Sequence, residues 1–367
     1  MIKYLSLFSG IGAFEKALKR NGIKYELVGF SEIDEYAIKS YCAVHNVDPS
    51  LNLGDISKID ITTLPNDIDL ITHGSPCQDF SVAGKQAGGD KGSGTRSSLM
   101  WCTVDIVEQT KPKYVVWENV KNLLSTKNRH NFDSYINIMS ELGYNSYHQV
   151  LNAKNYGIPQ NRERVFTVSI RSDVDKFNFE FPEKQELKLK LKDMLETEVD
   201  KKYYLSDSVV QKYIPVHSDN SNVVGKLDIK GHDCIKRVYS DAGISPTLTN
   251  MQGGNRQPKI IDKTICLNSK GGRNGIEGLQ PSLKDRIYDS NGIATCVATS
   301  NFFMPNYTEN LRIRKLTPRE CWRLMGFDDE DFEKAKAVPT SDTQLYKQAG
   351  NSIVVNVLEA IFKKMRW

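Results

Sequence analysis

Short apolar segments alternate with amphipathic ones over the first part of the chain, and this alternation constrains the fold most. The apolar segments are rich in Val, Ile, Leu and aromatic residues, which favour β-strands, and they lie at 3–8, 25–31, 68–74, 113–120 and 164–170. The segments at 13–20, 36–44 and 132–142 instead repeat apolar residues at helical spacing. Alternating strands and helices predict an α/β fold with a doubly wound sheet, which we expect over residues 1–175.

The sequence changes character in its middle part. Residues 183–202 are dense in alternating charge, which is typical of a solvated linker or helix. From 203 to 310, Gly, Asn, Ser and Thr become common and the apolar segments shorten, which predicts a smaller domain rich in loops and β-strands. We therefore expect a second domain over residues 176–310, with the charged linker included.

Helical patterns return after residue 310. Thr317-Pro-Arg-Glu320 has the form of a capping box with proline at the first helical position. Residues 352–365 form another amphipathic segment. We expect residues 311–367 to form helices that rejoin the first domain rather than a third domain.

An internal repeat lies in the expected second domain. The segment that begins at Arg237 and turns at Gly243 recurs 49 residues later, from Arg286 to a turn at Gly292. Each copy predicts a hairpin, which is either purely structural or a ribbon that faces a nucleic-acid duplex, with its arginine directed at phosphates or bases. Residues 226–315 contain 14 Lys and Arg against 8 Asp and Glu, an excess that favours a polyanionic partner.

Composition narrows the class of protein. The 367 residues are 39% hydrophobic and 26% charged, as in globular proteins, and no apolar run is long enough for a membrane helix. The seven cysteines are scattered without a C-x-x-C pair, which indicates a reducing compartment. We expect a cytoplasmic protein with no membrane segment and no metal, because nothing near His232 and Cys234 completes a zinc site.

Glycines follow the first predicted strand in the segment FSGIG, at Gly10 and Gly12. Glycines at such a turn let the backbone approach a nucleotide at the start of a helix. Glu32 ends the second predicted strand, where a carboxylate can accept both ribose hydroxyls, and Asp55 could accept a hydrogen bond from an adenine amino group. From these residues alone, an NAD site and an ordinary strand–helix turn are alternative interpretations.

A cysteine, Cys77, follows the third predicted strand in the segment GSPCQ. A cysteine just past the carboxyl end of a strand, in a turn with proline, is held toward a cleft. We interpret it as a nucleophile rather than as a structural cysteine. Residues 79–92 contain four glycines, which suits a lid that closes on substrate.

Glu118 and two arginines complete the candidate site. Glu118 ends an apolar strand, where burial favours the protonated form of a carboxyl and makes it a usable acid. Arg162 and Arg164 lie at i and i+2 of an extended segment, so their side chains point the same way. The alternative interpretation is that both form ordinary salt bridges at the protein surface. They could hold a base carbonyl, orient Glu118 or favour a thiolate at Cys77.

Together these motifs resemble the cytosine-C5 DNA methyltransferase family. FSGIG, the region of Glu32, GDI, SPCQDFS, ENV, QNRER and the terminal QAGNSI occur in the order of that family. The resemblance covers roughly residues 1–175 and 311–367, and the segment between them corresponds to a variable target-recognition domain. It implies a Rossmann-like, S-adenosyl-L-methionine-dependent catalytic domain and a smaller β-rich recognition domain.

The resemblance also implies a role for each matching residue. Cys77 would attack C6 of a flipped-out cytosine and form a covalent adduct, while Glu118 would protonate or hydrogen-bond N3 and the exocyclic amine. Arg162 and Arg164 would contact the base and brace the site. The S-adenosyl-L-methionine pocket would be lined by Phe8, Gly10, Ile11, Gly12, Glu32, Ile33, Asp55, Ile56, Pro76, Asn351 and Ser352. The expected DNA contacts are Gln78, Ser81, Lys85, Arg237, Arg256 and Arg286.

Two positions depart from the family pattern. Ile33 stands where the family often has an aromatic residue against the adenine, and Ala83 stands where some members have a hydroxyl. The resemblance further implies double-stranded DNA as substrate, action as a monomer and, in a restriction–modification system, a cognate restriction endonuclease that acts separately.

Three other functions fit parts of the sequence. A tRNA-modifying RNA cytosine-5 methyltransferase shares the PCQ and ENV motifs, but its recognition region is usually short. An NAD oxidoreductase explains Gly10 and Glu32 and leaves Cys77 and Glu118 without roles. A DNA-binding protein without catalysis is expected to have lost Cys77, Glu118 or Arg164, and all three are present. We therefore expect a sequence-specific DNA (cytosine-5-)methyltransferase.

Overall fold

The computed structural model describes residues 1–76, 80, 88–176, 178–216, 222–262 and 312–367, together with the backbone of 265–266 and 288–289. The chain divides into two compact units. The larger unit comprises Met1–Leu189 and Cys321–Trp367, and the smaller unit comprises Lys190–Glu320. These divisions fall later in the chain than the expected boundaries at residues 175 and 310, so the linker lies with the larger unit up to Leu189.

The larger unit is built on a six-stranded sheet of order β2-β1-β3-β4-β6-β5. Strands β1 to β4 are parallel, while β6 pairs antiparallel with both β4 and β5. The smaller unit contains a five-stranded sheet of order β13-β10-β9-β8-β7, and β11 pairs with β12. The strands are β1 Ile2–Leu7, β2 Tyr25–Ser31, β3 Leu70–His73, β4 Tyr114–Val120, β5 Tyr144–Asn152, β6 Glu163–Arg171, β7 Tyr213–Pro215, β8 Val223–Leu227, β9 Arg237–Tyr239, β10 Lys259–Ile261, β11 Ile265–Cys266, β12 Tyr288–Asp289 and β13 Ile313–Lys315.

Helices connect the strands and form the end of the chain. The α-helices are α1 Ala13–Arg20, α2 Glu35–His45, α3 Met100–Thr110, α4 Arg129–Glu141, α5 Asp207–Val210, α6 Asp233–Lys236, α7 Pro318–Leu324, α8 Asp329–Ala337, α9 Asp342–Asn351 and α10 Val355–Lys364. Short 3₁₀ turns occur at Pro49–Leu51, Ile56–Lys58, Ile61–Thr63, Arg96–Leu99, Lys121–Leu124, Ala153–Tyr156, Leu191–Met194 and Lys201–Tyr203.

The α/β fold class agrees with the prediction. All five predicted strands of the first domain and all three predicted helices are present. The buried side chains of α3 and α4 form one cluster with those of β1, β3 and β4. On α1, Phe14 packs near Phe362 of α10, with ring centroids 6.3 Å apart. The C-terminal helices therefore complete the larger unit.

The capping box at the start of α7 agrees with the prediction. The Thr317 amide donates to Glu320 Oε2 at 2.8 Å, and the Glu320 amide donates to Thr317 Oγ1 at 3.2 Å. Glu320 also pairs through both oxygens with Arg314, at 2.8 and 2.9 Å, and both side chains are almost fully buried. This pairing compensates the cost of burying the two charges.

The hairpin predicted from Arg237 is wrong. A turn does form, with the Gly243 amide donating to the Ser240 carbonyl at 3.3 Å. However, β9 pairs with β8 and β10, and the described segment 222–262 has no strand between Gly243 and β10. Pro246, which follows Gly243 by three residues, has no N–H to donate to a strand ladder. In the second copy, β12 pairs with β11, and Arg286 lies outside the described residues.

Candidate active site

The functional residues predicted from sequence gather at the carboxyl edge of the parallel strands. In the sheet register, Leu7 is level with Ser31 on one side and His73 on the other, and His73 is level with Trp117. Neighbouring strands lie about 4.8 Å apart, so the residues that follow these four positions form one short row. That row consists of Glu32, Phe8, Gly74 and Glu118.

The turn after β1 requires an unusual backbone. Gly10 and Gly12 have φ of 55° and 81°, in the left-handed region that glycine adopts without a steric penalty. Phe8 adopts φ 53° although it has a side chain. The Gly10 amide donates to Glu32 Oε2 at 2.9 Å, which ties this turn to the end of β2. The backbone of the turn therefore lies beside a fixed carboxylate, as a nucleotide site requires.

The Glu32 carboxylate is held in place by backbone amides. Its Oε1 accepts from the amides of Ile33 and Asp34 at 2.8 and 2.9 Å. Ile33 is 73% exposed, so an aliphatic side chain stands in solvent beside the carboxylate. A fixed carboxylate next to an exposed apolar side chain and a glycine turn fits a nucleoside with a ribose and a flat base.

The remaining predicted cofactor residues differ in exposure. Asp55 Oδ1 accepts from the amide and hydroxyl of Ser57 at 3.0 and 2.8 Å, which lowers the pKa of Asp55 and keeps the carboxylate ionised. Ile11 and Ile56 are buried in the core, so their side chains present little surface to a ligand. Asn351 is exposed at the end of α9, whereas Ser352 is buried.

Gly12 packs against a histidine that sequence reasoning missed. A Cβ at Gly12 would lie 2.1 Å from His45 Nε2, and His45 donates from Nε2 to the Ile11 carbonyl at 3.0 Å. Burial lowers the pKa of His45 to about 3, so the ring is neutral. The close approach of α2 to the turn therefore depends on the missing side chain at Gly12.

We expect Gly12→Ala to destabilise the protein by about 2–4 kcal/mol, since it combines an unfavourable φ with a steric clash. Gly10→Ala is the matched control, because Gly10 also has positive φ but a Cβ there would meet no atom within 4 Å. The control should cost only about 1 kcal/mol. Urea unfolding of both variants measures the difference, and equal losses would contradict the role of His45.

Glu118, which is buried, forms an ion pair with the partly buried Arg164. Arg164 Nε lies 3.1 Å from Glu118 Oε1. Burial raises the pKa of Glu118, although the charges of Arg164 and Arg162 oppose that shift. Desolvation is the larger effect, so the site favours the protonated carboxyl more than water does. Of the roles considered for the arginines, orienting Glu118 is the one that Arg164 takes in this structure.

Arg162 has different partners. Its side chain is buried, and its Nη2 donates to the carbonyls of Gly350 and Ser352 at 3.1 and 2.7 Å. Both residues belong to the QAGNSI motif, with Gly350 in the last turn of α9 and Ser352 between α9 and α10. Arg162 therefore fixes the C-terminal segment beside the sheet, whereas Arg164 forms the ion pair with Glu118.

The turn that leads to Cys77 is held by residues of the next strand. Ser75 is buried, and its hydroxyl accepts from Trp117 Nε1 at 2.9 Å. Asn119 Nδ2 donates to the Ser75 carbonyl at 3.2 Å. Sequence reasoning missed these anchoring roles of Trp117 and Asn119, although both flank Glu118. They position Pro76, the last described residue before Cys77.

Four predicted residues of this region lie outside the described residues, namely Cys77, Gln78, Ser81 and Lys85. The same holds for Ala83. Between Gln78 and Ser81, Phe80 is described and fully buried, and its carbonyl accepts from Asn122 Nδ2 at 2.5 Å. A Cβ at Gly89 would lie 2.3 Å from the Phe80 ring, so Gly89 and Phe80 are in close contact.

The smaller unit carries the predicted DNA contacts that the structure describes. Arg256 is exposed in the loop before β10. Arg237 begins β9 and pairs with Asp233, from Nη2 to Oδ2 at 2.6 Å. Within the described part of the chain, no group of three or more His, Cys, Asp or Glu could hold a metal ion. Among the same residues, no helix has the length and hydropathy needed to cross a membrane.

Comparison with known proteins gives a consistent result. Residues 2–367 match the family described as C-5 cytosine-specific DNA methylase. The chain is 39% identical to the orphan methyltransferase M.SPBetaI of Bacillus phage SPbeta, covering 99% of this chain and 97% of that protein. It is 34% identical to the type II methyltransferase M.HhaI of Haemophilus parahaemolyticus, covering 98% and 93%.

Solved structures share the fold at low sequence identity. The Dnmt2 methyltransferase of S. pombe aligns with a TM-score of 0.58 and 20% identity, covering 99% of this chain and 97% of that one. A putative DNA modification methyltransferase encoded within an E. coli prophage aligns with a TM-score of 0.59 and 19% identity, covering 99% and 98%.

Proposed function

This chain belongs to the C-5 cytosine-specific DNA methylase family and is a DNA (cytosine-5-)methyltransferase; we propose that it methylates C5 of a cytosine flipped out of a specific duplex site. The observation that carries the proposal is the buried carboxyl of Glu118, paired with Arg164, at the same sheet edge as the turn into Cys77. An acid next to a nucleophile is what addition to a cytosine ring requires. A base inside a stacked duplex cannot reach such a site, so the target must leave the stack.

The row at the sheet edge supports S-adenosyl-L-methionine as cofactor. Glu32 would accept hydrogen bonds from the ribose hydroxyls, and the amides of the Gly10 turn would lie against the nucleoside. Ile33 would cover one face of the adenine with aliphatic rather than aromatic surface. One carboxylate oxygen of Asp55 accepts hydrogen bonds from Ser57, and the carboxylate would accept a further hydrogen bond from the adenine amino group. When bound, the cofactor supplies an electrophilic methyl group to C5.

The protein residues have separate tasks in this proposal. Cys77 forms a bond from its thiolate sulfur to C6, the electron pair of the C5–C6 double bond forms a C4–C5 double bond, and the pair of the C4–N3 double bond moves onto N3. Glu118 donates its proton to N3, which makes C5 an enamine carbon. Arg164 holds the Glu118 carboxyl in position at 3.1 Å. After C5 is methylated, a solvent base takes the C5 proton, the C5–C6 double bond forms again and the Cys77 thiolate leaves, and N3 returns its proton to Glu118.

Bisulfite sequencing of genomic DNA tests this function directly. The protein is expressed in a host that lacks cytosine methylation, and the variant Cys77→Ala serves as the inactive control. Modified cytosines in one short sequence context are the expected result. Unmodified DNA from a host that contains folded protein would overturn the proposal, and the same test on host tRNA would then identify an RNA substrate.

Two further expectations about partners stay predictions. Of the two sequence relatives, one is named an orphan methyltransferase and the other a type II methyltransferase. We propose that this protein acts as a monomer, which light scattering on the DNA complex would check. A separate restriction endonuclease is expected only if the protein belongs to a restriction–modification system.

DNA binding should weaken steeply with salt. Residues 226–315 carry the excess of 14 Lys and Arg over 8 Asp and Glu, and phosphate contacts release counterions. We expect affinity for a duplex to fall about tenfold or more between 50 and 200 mM salt. Fluorescence anisotropy with a labelled duplex measures this, and a flat affinity would show that phosphate contacts contribute little.

A further inference from the structure

Three charged side chains in the smaller unit form a compact group: Lys226, Asp233 and Arg237. Asp233 bridges the two cations, because its Oδ1 accepts from Lys226 Nζ at 2.8 Å and its Oδ2 accepts from Arg237 Nε at 2.7 Å. Arg237 Nη2 reaches the same Oδ2 at 2.6 Å. All three side chains are between 42% and 48% exposed, so the group is accessible from solvent.

The sheet register explains why the carboxylate is needed. Lys226 on β8 lies directly opposite Arg237 on β9 in an antiparallel pair. Like charges at such positions repel each other. Asp233, in the short helix α6 just before β9, places a negative charge between them and fixes both. The Tyr239 hydroxyl also forms a hydrogen bond with Arg237. Asp233 and Tyr239 both raise the pKa of the Arg237 guanidinium.

Asp233 occupies one edge of the guanidinium, the edge formed by Nε and Nη2. The Tyr239 hydroxyl also hydrogen-bonds to the guanidinium, whose other edge carries two parallel N–H groups, one on Nη1 and one on Nη2. Two parallel N–H groups of this kind match O6 and N7 of guanine in the major groove. A phosphate contact would not require such orientation, and a carboxylate nearby would repel the phosphates.

We propose that Asp233 is a positioning residue that fixes Arg237 for a bidentate contact with a guanine of the target site. The inference rests on the proposed function, since it assumes a duplex substrate. Arg237 is the group that touches the base, and Lys226 holds the other oxygen of Asp233. This arrangement makes Arg237 a determinant of sequence preference rather than one of several phosphate-binding cations.

The experiment compares methylated contexts and DNA affinity for four proteins: wild type, Asp233→Ala, Arg237→Ala and the double variant. Asp228→Ala is the matched control, because Asp228 is exposed in the same unit and its loss changes the charge equally. Contexts come from bisulfite sequencing of a host without cytosine methylation. Affinities are measured for a 25-bp duplex with the wild-type site and for duplexes in which each guanine of the site is replaced.

The proposal predicts that Asp233→Ala relaxes the context at one guanine. Discrimination against the replaced base should fall about 10- to 100-fold. Arg237→Ala should have the same effect at the same position, and adding Asp233→Ala to it should cause no further loss. Asp228→Ala should leave the context unchanged.

Opposite outcomes overturn it. If Asp233 only repels the DNA phosphates, Asp233→Ala will strengthen binding to all duplexes equally, to the same extent as Asp228→Ala. The methylated sequence context will then not change. An unchanged context and unchanged affinity would likewise show that the three side chains are structural. A wild-type protein that leaves DNA unmodified would overturn the proposed function, whereas an active enzyme with an unaltered variant context overturns only this inference.

Discussion

A Cys77→Ser variant is expected to lose methylation by a factor on the order of 10⁴ to 10⁶, while its affinity for duplex DNA stays within about threefold of wild type. Without a thiolate there is no bond to C6, and C5 of cytosine remains a poor nucleophile. DNA affinity comes mainly from phosphate contacts, which the substitution does not touch. Methyl incorporation into a duplex and fluorescence anisotropy on the same preparation measure the two quantities.

Cys42→Ser is the control for this prediction. Cys42 lies on α2, is partly buried, and burial raises the pKa of its thiol, so it is a poor nucleophile. That variant should keep its methylation rate. A Cys77→Ser variant that methylates at a normal rate would end the assignment of Cys77 as the nucleophile, whatever the behaviour of the control.

Glu118→Gln should lower kcat by about 10²- to 10⁴-fold, because the amide cannot give a proton to N3. The side chain keeps its shape, so we expect cofactor and DNA affinity to change little. Glu163→Gln is the matched control, since Glu163 pairs with Lys121 at 3.0 Å on the surface. The same chemical change there should leave kcat within about twofold. A Glu118→Gln variant with kcat within tenfold of wild type would contradict the role of Glu118 as acid.

Folding stability provides a second measurement at Glu118. Burial raises the pKa of this carboxyl above its ordinary value of 4.5, so the folded state prefers the protonated form. The contribution of Glu118 to stability is therefore present below that pH and is lost as pH rises through the folded pKa. The free energy of unfolding of wild type, relative to Glu118→Gln, should fall as the pH rises above 4.5. Urea unfolding at several pH values checks the sign, and a rise would mean that the Arg164 pair outweighs desolvation.

The elements that could be predicted were those whose pattern is local. The strands and helices of the first domain follow from continuous apolar runs and helical spacing. Strand β5 was missed because it lies at the sheet edge, where most of its side chains are polar or partly exposed. Helix α3 was missed because it is buried on most of its surface and shows little amphipathic pattern. The prediction of a hairpin at Gly243 was wrong because β9 pairs with β8 and β10 and not with the segment that follows the turn.

The order of motifs along the chain determined the family, the α/β fold and the row of functional residues at the carboxyl edge of the sheet. Only the tertiary structure decided which partner each charged side chain takes. Arg162 and Arg164 are two residues apart, yet one binds a carbonyl 190 positions away and the other binds Glu118. Asp233 between Lys226 and Arg237 was likewise set by the pairing of β8 with β9. Residue spacing determines the direction of a side chain, whereas its partner depends on distant segments that only folding brings within bonding distance.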